Sequence, residues 1–143
     1  MDAPSLGGMR VVEAHPSAQR TGSFEGNAFI TYWVKGDPVN NLAAGYEDYT
    51  GWMRNATVYV AQSAGSGNNG GNYLLIQLQG RHDSSDPWVT YTFANSGEIK
   101  ITANAATGYY ARVEGPLMPE LRIIGTETGV ADATFAVHVY LEA

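Results

Sequence analysis

From residue 27 onward, apolar and polar residues alternate with period two through one short run after another. Successive side chains of a strand point to opposite faces, so this period predicts strands with one buried face. The last run, ATFAVHVYL (Ala133–Leu141), puts Phe135, Val137, Val139 and Leu141 on one face and Thr134, Ala136, His138 and Tyr140 on the other. NYLLIQLQ (Asn72–Gln79) groups Leu74, Ile76 and Leu78, and WVTYTF (Trp88–Phe93) groups Val89, Tyr91 and Phe93. EIKIT (Glu98–Thr102) alternates charge with isoleucine. YYARVE (Tyr109–Glu114) turns Tyr109, Ala111 and Val113 inward, and ELRII (Glu120–Ile124) does the same with Leu121 and Ile123. AFITYWVK (Ala28–Lys35) and ATVYVAQ (Ala56–Gln62) are dense in the β-branched and aromatic residues that strands favour.

Turn-forming clusters separate these runs: Gly36-Asp37-Pro38, Ser63–Asn72, Asp83–Pro87, Asn95-Ser96-Gly97, Gly115-Pro116 and Gly125–Gly129. Roughly eight strands at this spacing predict an all-β, antiparallel sandwich of jelly-roll type over residues 27–143. One-sided alternation is what an antiparallel sheet with one wet face produces. Residues 1–26, broken by Pro4, Gly7-Gly8, Pro16 and several serines, read as an extended N-terminal arm in which only Met9–Val12 could pair. Leu42–Tyr49 offers a single turn of helix at most, since the run is short and contains Gly45.

Composition narrows the chemistry. A chain of 143 residues makes one domain, large enough to fold without disulfides or a structural metal. It has no cysteine, which removes thiolate metal sites and cysteine nucleophiles. The start, MDAPSLGGMRVV, carries neither a basic nor an apolar leader segment, and no run approaches the roughly 18 apolar residues of a membrane span. A soluble protein made in a cytoplasm, with no membrane partner, is expected. Net charge is −6, with 8 basic residues scattered against 14 acidic ones. Phosphate backbones demand a basic patch, so no nucleic-acid partner is expected.

Several clusters invite a chemical reading. Gly65-Ser66-Gly67-Asn68-Asn69-Gly70 has dinucleotide-fingerprint spacing, but a strand follows it where that motif needs a helix N-terminus, so it reads as a flexible loop. GRHDSSDPW (Gly80–Trp88) gathers His82, Asp83 and Asp86, yet it lies between two strand-like runs and lacks the alternating oxygen ligands of a calcium loop; it reads as a hairpin turn. No Gly-x-Ser-x-Gly elbow is present, His15 falls in the arm, and His138 faces outward as a surface or interface histidine. Glu98, Glu114, Glu120 and Glu142 occupy wet-face or edge positions, as on a solvated sheet. No enzyme, cofactor or metal is expected. Trp33, Tyr110 and Tyr140 fall opposite the inferred core, and Trp88 opposite Tyr91 and Phe93. Outward aromatics favour cross-strand packing or a partner surface.

Two stretches carry a resemblance. LLIQLQGRHDSSDPWVTYTF is similar to a strand–turn–strand unit in discoidin-type sandwiches and to the same hairpin in small bacteriophage virion proteins. GYYARVEGPLMPELRIIGTETGVADATFAVHVYLEA resembles the C-terminal half of those virion β-sandwiches, and the likeness spans residues 56–143. Discoidin domains carry a terminal disulfide, which this chain cannot form. The virion resemblance implies a capsid decoration or cement protein, or a tail-associated module, assembled into a virion in the host cytoplasm. Its partners would be the major capsid protein and sister copies in a homo-oligomer. Expected partner contacts are Met9, Val11, Phe24, Trp33, Trp52 and Tyr140. The alternative is a carbohydrate-binding module, with calcium at Asp83 and Asp86.

Overall fold

The computed structural model describes residues 9–26, 29–30, 54–94 and 97–142. Among the described residues ten strands run: β1 Met9–Arg20, β2 Phe24–Glu25, β3 Phe29–Ile30, β4 Asn55–Gly65, β5 Tyr73–Arg81, β6 Val89–Thr90, β7 Ile99–Ile101, β8 Thr107–Glu114, β9 Glu120–Thr128 and β10 Ala133–Glu142. They form two antiparallel sheets. Sheet A has the order β1-β10-β4-β8. Sheet B has the order β2-β9-β5-β6, with β3 also on β9 and β7 also on β5. The two sheets make a β-sandwich around one apolar cluster. Along the described strands the chain changes sheet from β1 to β2, from β3 to β4, from β4 to β5 and at each step from β7 to β10, and it stays in sheet B from β2 to β3 and from β5 through β6 to β7.

The alternation places the core where it predicts. Val58, Val60, Phe135, Val137, Val139 and Leu141 of sheet A face Leu74, Ile76, Leu78, Leu121 and Ile123 of sheet B, all with 0% exposure. Full burial of each such aliphatic side chain contributes about 1.5–3 kcal/mol. Ile99 and Ile101, Ala111 and Val113 are buried as expected.

Three stretches differ from the sequence reading. First, residues 9–20 are not a free arm with a short pairing segment. They form an edge strand along the whole of β10, from Met9 opposite Glu142 to Arg20 opposite Ala133. Register shifts between Glu13 and His15 and between His15 and Ala18 break the period of two, which hides the strand from a pattern search. Pro16 is tolerated because β1 is an edge strand and Pro16 lies in the second irregularity. Phe24 and Glu25 then join sheet B, so the described part of residues 1–26 supplies both sheets. Second, Gly125–Thr128 is strand, not turn. Gly125 lets the Phe24 ring lie directly on the backbone, where a Cβ would collide with it. Third, β6 is only Val89–Thr90, both exposed. Beyond it the chain leaves the ladder and closes the side of the sandwich: Tyr91 N–H bonds Leu78 O (2.9 Å) and Ala94 N–H bonds Arg112 O (2.7 Å). Phe93 enters the core, and the Tyr91 hydroxyl accepts from Met118 N–H at 2.7 Å. Burial pushes the Tyr91 hydroxyl above its ordinary pKa. The helical turn expected at Leu42–Tyr49 and most of Ala28–Lys35 lie outside the described residues.

Candidate functional site

Antiparallel pairing lines up the outward side chains of sheet A in rows across the strands. One row runs Glu13, His138, Tyr59, Tyr110, and the next runs Val11, Tyr140, Thr57, Arg112. Tyr110 is 69% exposed, Val11 52% and Tyr59 38%. Tyr140 is half-buried on the same face. Beyond the first row lie only small residues: Ala136, Ala61 and Gly108. The Tyr59 ring leans over Gly108, so a Cβ there would stand 2.7 Å from its hydroxyl oxygen. The glycine thus lets a tyrosine lie along the sheet. His138 Nε2 stands 3.6 Å from a Glu13 carboxylate oxygen and ties the row to β1. The result is a mixed face, with three tyrosines and Val11 set among Glu13, His138, Thr57 and Arg112, a composition compatible with a partner surface.

The expected contact residues distribute unevenly. Val11 and Tyr140 are adjacent on this face, opposite each other across β1 and β10. Met9 pairs with Glu142 at the end of the same edge. Phe24 turns inward, its ring 5.1 Å from that of His15 and 5.7 Å from that of Phe135. It is a packing residue of the β1–β2 corner. Trp33 and Trp52 lie outside the described residues. Tyr59 was missed, because the run ATVYVAQ has no polar contrast to mark which side of it is wet.

The GRHDSSDPW stretch is a capped turn between β5 and β6. Asp83 Oδ1 accepts from the backbone N–H of Ser85 (2.8 Å) and from its hydroxyl, and Asp86 N–H bonds Asp83 O at 3.1 Å. The Ser85 hydroxyl, then the Ser85 backbone, holds the Asp83 carboxyl below its ordinary pKa. Ligand atoms of His82, Asp83 and Asp86 come within 4.8 Å of one another. That is one imidazole and two carboxylates already engaged in shaping the turn, short of the six to eight oxygens calcium takes. Trp88, which closes the stretch, is half-buried and packs against two arginines. The guanidinium carbons of Arg81 and Arg122 lie 4.2 and 4.4 Å from its centroid. Glu120 holds Arg81 (3.1 Å), while Gln79 (2.8 Å) and Glu25 (3.2 Å) hold Arg122. Glu98 and Glu114 likewise pair with Lys100 and Arg112. These carboxylates decorate a solvated sheet.

The glycine-rich loop is not loose. Asn68, 5% exposed, joins three loops at one end of the sandwich. Its Nδ2 donates to Ala103 O (3.0 Å) and Asp132 O (2.8 Å), and its Oδ1 accepts from Asp132 N–H (3.0 Å). Its backbone exchanges a pair of bonds with the Asn104 amide. Gln62 and Tyr109 extend the network through Ala103. The signal for this clasp was an asparagine inside a run of turn formers, which sequence alone cannot separate from an ordinary turn residue.

Set against protein-family models, curated proteins and solved structures, the chain finds no match.

Proposed function

We propose that the chain is a non-enzymatic structural protein of a virion, of the capsid decoration or cement type. It binds the exterior of a shell of major capsid protein and contacts sister copies there. The observation that carries this reading is the outer face of sheet A, where Val11, Tyr59, Tyr110 and Tyr140 present apolar and aromatic surface away from the core. The interleaved order of the two sheets supports a jelly roll, an architecture shared by viral capsid and lectin domains. The mechanism is adhesive. A tyrosine buries about 150–250 Å² and loses little conformational freedom, so modest burial per copy adds up over a shell.

The test is co-sedimentation with shells assembled from the major capsid protein of the genome that encodes this chain. Wild-type protein is expected to travel with the shells, and a Tyr59→Ser/Tyr110→Ser variant to remain in the supernatant. Absence of wild-type binding, or equal binding by the variant, overturns the proposal. A second reading, a carbohydrate-binding module, draws on the Tyr59 ring leaning over Gly108 of β8 with the exposed Tyr110 opposite it in register, since sugars stack on exposed aromatic rings. A glycan array separates the two: a defined sugar bound by wild type and lost in Tyr110→Ala favours the module.

A further inference from the structure

His15 is the one fully buried histidine among the described residues, at 2% exposure. Its ring stacks on Phe135 of β10 (4.7 Å, 15° between planes) and tilts against Phe24 of β2 (5.1 Å). Its Nε2 accepts a hydrogen bond from Nε of Arg20 at 2.8 Å. A nitrogen that accepts from a guanidinium carries no proton, so the ring is neutral in this fold and its hydrogen sits on Nδ1. Nδ1 makes no well-aligned hydrogen bond, although the Phe135 backbone lies close enough to favour the protonated ring in part.

Protonation would therefore break the Arg20 bond and set two cations against each other in an apolar pocket. Among the described residues no carboxylate pairs with His15 to compensate. On β1, Glu13 faces the other side of the sheet and pairs with His138 of β10 (3.6 Å). On β2, Glu25 pairs with Arg122 of β9 (3.2 Å). Glu127 of β9 lies beside Gly22, and Asp132 accepts from Gln19 at 2.8 Å.

Of the other described side chains of β1, the small Ala14 packs against the core. His15 is the only residue of the strand whose described side chain is buried, and the backbone ladder to β10 is interrupted on both sides of it. We infer that His15 is an acid-sensitive latch: its neutral ring pins the N-terminal edge strand to β10, and its protonation releases that strand while the sandwich beneath stays folded. Burial, and then Arg20, hold its pKa below the ordinary 6.5; the Phe135 backbone offsets part of this. Linkage then gives the size of the effect: the released population rises by up to about tenfold for each pH unit between 6.5 and the lower value in the folded state.

The test is amide hydrogen exchange of the full chain from pH 7.5 to pH 5, corrected for intrinsic exchange, with an NMR titration of the imidazoles. Protection of residues 9–20 is expected to fall toward pH 5 while that of β5 and β9 holds. His15→Gln keeps a neutral acceptor for Arg20 and does not titrate, so its β1 protection is expected to be flat over the same range. Unchanged protection of β1 in the wild type, an equal fall in His15→Gln, or a His15 ring found charged at pH 7 overturns the latch. The NMR titration uses wild-type protein, so the inference stays testable even if the variant does not fold.

Discussion

Replacing Asn68 by alanine removes three side-chain hydrogen bonds from the loop clasp, but the loss is smaller than that number suggests. Ala103 O keeps its bond from Gln62 Nε2 (2.7 Å), and Asp132 O keeps its bond from Ser66 N–H (3.0 Å). The group left without a described partner is Asp132 N–H, which had bonded Asn68 Oδ1 at 3.0 Å. One orphaned, partly buried donor costs about 1–3 kcal/mol, so Asn68→Ala is expected to lose about 2 kcal/mol. Asn68→Asp is nearly isosteric and keeps the acceptor for Asp132 N–H. It also turns the Nδ2 donor into a carboxylate oxygen facing two carbonyl oxygens, those of Ala103 and Asp132. A buried charge so placed costs about 3 kcal/mol or more. The expected order of stability at neutral pH is therefore wild type, then Asn68→Ala, then Asn68→Asp. Urea unfolding followed by far-UV circular dichroism reads the order directly, and thermal melts should show a drop of roughly 3 °C per kcal/mol. An Asn68→Asp protein as stable as Asn68→Ala, or an Asn68→Ala protein within about 0.5 kcal/mol of wild type, would refute the reasoning.

Other expectations follow from single sites. Gly125→Ala should destabilise by about 1–3 kcal/mol, because its methyl meets the Phe24 ring; Gly125→Ala/Phe24→Leu should recover part of that loss in the same urea assay. The folded-state pKa of His15 is lowered, so the unfolded chain binds more protons below 6.5. Its stability contribution is therefore complete above 6.5 and declines as pH falls to the folded-state value, by at most about 1.4 kcal/mol per unit. His15→Gln should flatten that slope in urea melts run at a series of pH values. Asp83, whose pKa is lowered by Ser85, contributes above its ordinary 3.8 and less as pH falls below it; Asp83→Ala should loosen the 82–88 turn, seen as faster amide exchange of Ser85. Tyr59→Ser/Tyr110→Ser should cost about 1 kcal/mol or less in the urea assay, the scale of one cross-strand aromatic pair, since both side chains point away from the core.

Most of the sandwich was legible because period-two alternation in β5, β7, β8, β9 and β10 reports burial directly, residue by residue. What stayed hidden was wherever a local irregularity or a long-range contact decides. Two register shifts around His15 broke the alternation of β1, so a paired strand read as an arm. Gly125 read as a turn residue because nothing nearby in sequence reveals that Phe24, about a hundred residues earlier, needs the space. Trp88 read as an outward aromatic, yet Arg81 and Arg122 reach it across the sheet. Of the candidate face, Tyr110, Tyr140 and His138 were legible from alternation, and Val11 came in through the expected contacts of the arm. That they meet Tyr59 in adjoining rows depends on the order β1-β10-β4-β8, which no local pattern encodes.

The proposed decoration role requires the tyrosine face of sheet A to be covered when the chain is part of a particle. Hydroxyl-radical footprinting of the free protein and of particles produced from the encoding genome measures this at Tyr59 and Tyr110. Strong labelling of both in the free chain and marked protection in the particle are expected, with Val130 at 76% exposure serving as a reference outside the face. Equal labelling of the two tyrosines in both states, or the absence of the chain from the particle, contradicts the proposed role.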